Sequence, residues 1–117
     1  MNMNTLEILD NQGNILLRIA ESLENNVFHF KVIGRLSEQT AHEFGDELSA
    51  AFFACKAICI DMSETESISG LALQNLLKAQ QTADAKDISM TLLNLSDAVM
   101  QTFVANSFTE CFNIEER

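Results

Sequence analysis

The sequence contains no proline, tryptophan or tyrosine, and glycine occurs only four times in 117 residues. Because proline is the usual marker of a helix end, its absence leaves the predicted element boundaries loosely defined. No stretch of about 18 apolar residues occurs, and the opening MNMNTLEILD has no basic start followed by an apolar block. We therefore expect neither a membrane-spanning helix nor a secretory signal, and a cytoplasmic protein.

Positive charge is also scarce. Seven lysines and arginines stand against 17 aspartates and glutamates, which gives a net charge of -10. Nucleic acids and anionic membrane surfaces are bound through cationic side chains, so this balance opposes both kinds of partner. A protein partner is the remaining expectation.

The three cysteines, Cys55, Cys59 and Cys111, show no spacing typical of metal ligands or of a disulfide framework. They stand among apolar residues, which predicts buried, reduced thiols. We expect no metal, no cofactor and no catalytic residue. An enzyme that uses Cys59 or Cys111 is the least supported alternative, because an activated thiol needs a nearby base or positive field.

Apolar periodicity predicts an alternation of strands and helices. A strand from Ile15 and a second from Phe28 to Val32 have the alternation of an antiparallel hairpin. A helix follows, for which Thr40 and Glu43 have the spacing of a capping box. The next segment, Ala57–Ile60, is almost unbroken in its apolar character and predicts a strand buried on both faces.

The second half of the chain continues this alternation. Leu73 and Leu76 lie on one side of a predicted helix, and Met90 to Leu95 reads as another strand. Ser96 then caps a third helix, and Phe112 to Glu115 is a last short strand or an extended tail. The order β-β-α-β-α-β-α predicts a single α/β domain with a mixed sheet and helices crossing over it. We assign residues 15–117 to this domain and residues 1–14 to an N-terminal extension or extra strand.

A polar segment, Ser63 to Gly70, separates the central strand from the Leu73 helix. In α/β proteins, ligands and partners are met at the carboxyl ends of strands, where a helix N-terminus offers free N–H groups. We therefore expect the functional site in this segment.

Several short motifs together resemble the STAS domain of bacterial anti-sigma-factor antagonists. They run in the order and spacing of that family over roughly residues 15–114, and they comprise Gly34–Ala41, Ile60–Ser63, Ile68–Ser69, Leu73-x-x-Leu76-Leu77, Leu93–Ser96 with Val99 and Phe103, and Phe108 with Phe112. The resemblance implies a non-enzymatic, cytoplasmic partner-switching regulator. Its partner would be a histidine-kinase-like anti-sigma factor, released when a serine or threonine after the central strand is phosphorylated.

The resemblance leaves the phosphoacceptor open. Counted without gaps from Asp61, the acceptor position of the family falls on Gly70, which has no hydroxyl. A one-residue deletion in the loop aligns Ser69 with the acceptor instead, but it shifts the Leu73 helix by one residue, which is about 100° on its surface. Ser69 is thus a candidate phosphoacceptor, with a simple N-cap role as its alternative. Ser37 departs from an aspartate that is common in the family.

The expected partner-binding residues lie in two segments that precede helices. They are Ser37, Gln39, Thr40, Ser67, Ser69, Gly70 and Leu71. An alternative function comes from Gly70-Leu71-Ala72-Leu73, which is similar to the loop of accessory STAS subunits of lipid-transport ABC complexes. The two functions predict different partners, a sigma-factor inhibitor or a transporter ATPase.

Overall fold

One mixed, seven-stranded sheet is the framework of the protein, in a computed structural model that describes residues 2–117. The elements of this range are β1 (Asn2–Leu9), β2 (Ile15–Glu24), β3 (Val27–Leu36), α1 (Glu38–Ala51), β4 (Ala57–Asp61), β5 (Thr65–Ile68), α2 (Gly70–Ala85), β6 (Ser89–Leu93), α3 (Asp97–Ala105), a 3-10 turn (Thr109–Cys111) and β7 (Asn113–Glu115). The predicted α/β class with a mixed sheet is confirmed.

The strand order is β1-β2-β3-β4-β6-β7, and β5 pairs with the end of β3. The first three strands are antiparallel neighbours, whereas β3, β4, β6 and β7 run parallel. Residues 2–9, which the sequence assigned to an extension or extra strand, lie in the sheet as β1. Because parallel strands end at the same edge, the helices that follow β3, β5 and β6 begin at that edge.

All three helices contribute side chains to one hydrophobic core. Phe44 of α1, Leu76 of α2 and Phe103 of α3 are fully buried there, together with Ile58 and Ile60 of β4. The alternate β4 residues Ala57 and Cys59 are only half-buried. The prediction that this strand is buried on both faces is therefore wrong, because the helices cover one face of the sheet and leave the other open.

A side-chain amide joins α1 to α2. The Nδ2 of Asn75 donates a 2.8 Å hydrogen bond to the carbonyl oxygen of Ala41. Gly45 makes room for this side chain, since a Cβ at Gly45 would lie 3.2 Å from the same Nδ2. The contact fixes the two helices side by side, and it thereby fixes their N-termini next to each other.

The start of α1 differs from the prediction. The N-cap is Ser37, three residues before Thr40, so the expected Thr40–Glu43 capping box is wrong. The Thr40 hydroxyl accepts the N–H of Ser37 at 3.0 Å and donates to the Arg35 carbonyl at 2.9 Å. Thr40 is fully buried and is the third residue of the first helical turn, where its side chain bonds back to the N-cap residue; it is not itself the N-cap.

The segment expected to be a continuous polar turn contains β5. The Oγ1 of Thr65 is buried and donates a 2.8 Å hydrogen bond to the carbonyl oxygen of Val32. Glu66 and Ser67 point to solvent between the buried residues Thr65 and Ile68. The sequence did not reveal this strand because its inward-facing Thr65 is polar and its length is only four residues.

Candidate functional site

A serine caps each of the three helices at the carboxyl edge of the parallel strands. These N-caps are Ser37 for α1, Ser69 for α2 and Ser96 for α3, all with extended backbone conformations. Each helix therefore directs the positive end of its dipole and its first N–H groups toward this edge. We name the surface formed by residues 37–39 together with Ser67, Ser69, Gly70 and Leu71 the helix-start surface.

Ser69 lies at the centre of the helix-start surface and is half-buried. Its Oγ accepts the N–H of Ala72 at 3.1 Å, and its own N–H donates to the carbonyl of Leu36 at 2.7 Å. The N-cap alternative for this serine is thus realised in the structure. A hydroxyl at a helix start is also a position where a phosphate would meet free N–H groups and a favourable dipole.

Four of the seven predicted partner-binding residues have exposed side chains or backbone: Gln39, Ser67, Gly70 and Leu71. Leu71 is 43% exposed, so its side chain adds an apolar group to this surface. Ser37 and Ser69 are half-buried. Thr40 is fully buried, so the structure removes it from the surface to which the sequence assigned it.

Acidic side chains border the helix-start surface, and two of them, Glu64 and Glu66, have internal partners. Lys31 and Glu64 form a 2.6 Å ion pair, and this contact raises the pKa of the Lys31 ammonium. Arg35 and Glu66 are 3.3 Å apart. Both pairs are largely exposed, so they neutralise charge locally without contributing much to stability.

Asp61 ends β4 and stabilises the loop that follows. Its Oδ1 accepts the N–H of Ser63 at 2.9 Å, so the side chain caps the backbone of this loop. The loop leading to β5 is thus held at both ends, by Asp61 and by the pairing of β5 with β3.

Ser96 connects α3 to the same region, a role that the sequence did not reveal. Its hydroxyl donates a 2.6 Å hydrogen bond to the carbonyl of Thr65 while accepting the N–H of Val99 at 3.3 Å. The Ser96 N–H also donates to the Met62 carbonyl at 3.2 Å. β5 is therefore fixed between β3 and the start of α3.

The thiols differ in environment more than the sequence predicted. Cys111 is exposed, which corrects the expectation that all three cysteines are buried, whereas Cys55 and Cys59 are half-buried. The Cys55 Sγ donates to the Ala51 carbonyl at 3.1 Å, and burial raises the pKa of this thiol. Cys55 is thereby kept in its unreactive protonated form.

Within residues 2–117, no group of three or more histidine, cysteine, aspartate or glutamate side chains is arranged to hold a metal ion. In the same range, the helices are too short or too polar to cross a bilayer.

Comparison with known families assigns the fold. Residues 19–111 match the model of the family described as Mlab, STAS domain. This range is well over half of the chain, and the protein therefore belongs to that STAS family. No match was found among curated proteins.

Solved structures agree with this assignment. An anti-sigma factor antagonist of Mycobacterium paratuberculosis is 15% identical, with a TM-score of 0.77 over 92% of this chain and 90% of that one. The anti-sigma factor antagonist SpoIIAA in its unphosphorylated form is 16% identical, with a TM-score of 0.73 over 86% and 87%. A sulfate transporter family protein from Wolinella succinogenes is 14% identical, with a TM-score of 0.68 over 80% of each chain. At these identities the likeness establishes the fold alone.

Proposed function

We propose that the protein is a non-enzymatic partner-switching regulator of the anti-sigma-factor antagonist type, acting in the cytoplasm. Its partner is a histidine-kinase-like anti-sigma factor, which binds the helix-start surface. The observation that carries this proposal is the exposed Leu71 next to Ser69, at a helix start that is fastened to the preceding β3–α1 turn.

The side chains of the helix-start surface suit protein binding better than catalysis. Leu71 offers an apolar anchor, and Gln39, Ser67 and the backbone of Gly70 add exposed polar groups to the same surface. An apolar centre with a polar rim is the usual composition of a protein–protein contact. The fold shared with two anti-sigma factor antagonists adds support.

Phosphorylation of Ser69 is the proposed switch. A phosphate adds roughly two negative charges at the start of α2, where the helix dipole favours them. Glu64 and Glu66 lie on the adjoining loop and strand, but Lys31 and Arg35 pair with them, so their repulsion of the phosphate is reduced. The modified surface would no longer match a partner that buries Leu71 and the uncharged serine.

The experiment uses the kinase-like anti-sigma factor encoded in the same genome, incubated with the protein and ATP. We expect a phosphate on Ser69 by mass spectrometry, and a complex that dissociates after labelling. Label on Ser63 or Ser67, or no label while binding persists, contradicts the Ser69 assignment. Absence of any complex with the anti-sigma factor contradicts the proposed function itself.

A second candidate is an accessory STAS subunit of a lipid-transport ABC complex. The tetrapeptide Gly70–Leu73 and the match to the Mlab-type STAS model favour it. This candidate uses the same helix-start surface but a different partner. Co-expression with the ATPase subunit of such a transporter, followed by co-purification of wild type and the Ser69→Ala variant, separates the two candidates.

A further inference from the structure

The strand path of the sheet ends at β1 on one side and at β7 on the other. β7 is three residues long, whereas β1 spans eight. An edge strand of that length presents a row of backbone N–H and C=O groups to solvent, and proteins usually protect such an edge with lysine, proline or a covering element. β1 contains neither lysine nor proline.

The one charged side chain of β1 is already paired. Glu7 accepts hydrogen bonds from the Nε and Nη2 of Arg18 on β2, at 2.9 and 2.6 Å. These two residues are register partners and lie on the open face of the sheet. The charge that would repel an approaching strand is therefore compensated within the same molecule.

On the other face of the β1–β2 hairpin, the part formed by Leu6 and Ile8 is apolar and incompletely covered. Leu6 and Ile8 lie opposite the buried residues Ile19 and Leu17, but they are themselves only partly buried. The core thus continues to the edge of the sheet without a helix to complete it.

We propose that β1 pairs antiparallel with the β1 of a second copy of this chain, with Leu6 on the two-fold axis. A two-fold axis perpendicular to the sheet leaves the helices of both copies on the same face of the joined sheet. It pairs residues of the two β1 strands so that the two residue numbers of each pair always add up to the same even number. With Leu6 at the axis, Leu6 contacts its own counterpart, Thr5 faces Glu7 and Asn4 faces Ile8. Centring the axis on Glu7 instead sets two carboxylates directly opposite each other, and the Arg18 beside each one offsets only part of their repulsion.

This symmetric pairing produces a closed dimer and not a filament. Both β1 edges are consumed in the contact, so the assembly closes at two chains. The strip of Leu6 and Ile8 from each copy becomes continuous across the axis, which removes apolar surface from water. Each copy carries a net charge of -10, so the measurement is made at moderate to high salt, which screens the mutual repulsion.

Sedimentation of the wild-type chain tests the proposal. We expect a concentration-dependent species of twice the 13.0 kDa chain mass, and amide protons of β1 that exchange more slowly as the concentration rises. Leu6→Lys should abolish that species, while Val104→Lys, at an exposed position on α3, should leave it unchanged. A wild type that stays monomeric at millimolar concentration, or forms open-ended oligomers, overturns the proposal.

The register has its own test, in a chain whose cysteines are replaced by serine. Leu6→Cys should form a disulfide-linked dimer under mild oxidation, because the two copies meet at this residue. Thr5→Cys is the matched control and should stay monomeric under the same conditions. Crosslinking at position 5 in place of position 6 overturns the Leu6 axis. These results are independent of the anti-sigma-factor proposal, because that proposal concerns the helix-start surface and not the β1 edge.

Discussion

The backbone N–H of Ser69 donates a 2.7 Å hydrogen bond to the carbonyl oxygen of Leu36. This bond continues the β3–β5 ladder by one residue and ends it where both following helices begin. The starts of α1 and α2 are therefore held together by backbone, and the residues between them form one surface although they lie about 30 positions apart in the sequence.

Replacing Ser69 with alanine removes the acceptor for the N–H of Ala72. We expect the free energy of unfolding to fall by about 1 kcal/mol, the usual value of a helix N-cap. Ser69→Asp should recover most of it, since aspartate is a good N-cap. Chemical denaturation measures both. Ser67→Ala, at an exposed position on β5, is the control and should stay within about 0.5 kcal/mol of wild type.

Truncating Ile60 to alanine tests the central place of β4. Ile60 is fully buried against the helix layer, so we expect a loss of about 2 to 5 kcal/mol in the free energy of unfolding. Cys59→Ala changes the next residue on the open face and should cost clearly less. If Ile60→Ala stays within about 0.5 kcal/mol of wild type, this strand is not central to the core.

Gly34 should not tolerate a side chain. Its φ of 113° lies in a region that favours glycine, and a Cβ there would approach the carbonyl oxygen of Leu16 to 2.7 Å. We expect Gly34→Ala to lower the free energy of unfolding by about 1–3 kcal/mol or more. Gly70→Ala is the control, because a Cβ at that helix start meets no atom within 4 Å. Equal effects at the two positions contradict the geometry of β3.

Glu21 makes stability depend on pH. Burial, followed by a hydrogen bond and charge repulsion from Glu47, raises the pKa of this carboxyl from 4.5 to about 8. The folded state then holds a proton that the unfolded chain releases above pH 4.5. The contribution of Glu21 to stability is therefore fully present below that pH and is lost as the pH rises through about 8.

The variant Glu21→Gln removes this ionisation. We expect its stability to exceed that of wild type increasingly between pH 5 and 8, by at most about 1.4 kcal/mol per pH unit. Thermal or urea unfolding across this range gives the two curves. If the plots of stability against pH for wild type and Glu21→Gln run parallel, the prediction is wrong, and the Glu21 carboxyl is ionised in the folded protein at neutral pH.

The sequence predicted the features that depend on hydrophobic periodicity and on local residue spacing. Ile58 and Ile60, the apolar stripe of α2 and the Ser96 cap all follow from local spacing, and the structure places them as expected. β5 and the cap of α1 depend on tertiary contacts. Thr65 is buried because its hydroxyl reaches the Val32 carbonyl, and Thr40 is buried because it bonds to Arg35 and Ser37.

The candidate site was predicted in outline only. The sequence indicated the two segments that precede the helices, and the structure brings them together through the Leu36–Ser69 bond. It could not show that Thr40 faces inward, because a threonine in a first helical turn is equally compatible with either orientation. The phase of the predicted helix places Leu71 off the apolar side that carries Leu73, and the structure confirms this, since Leu71 is exposed while Ala72 and Leu73 are buried.

The central claim is that Leu71 anchors a protein partner on the helix-start surface. Its most direct test is titration calorimetry of wild type, Leu71→Asp and Val104→Asp against the kinase-like anti-sigma factor, with circular dichroism of each variant as a check on folding. We expect Leu71→Asp to remain folded and to weaken binding at least tenfold, which corresponds to about 1.4 kcal/mol, while Val104→Asp binds like wild type. Unchanged binding by a folded Leu71→Asp variant would contradict the account.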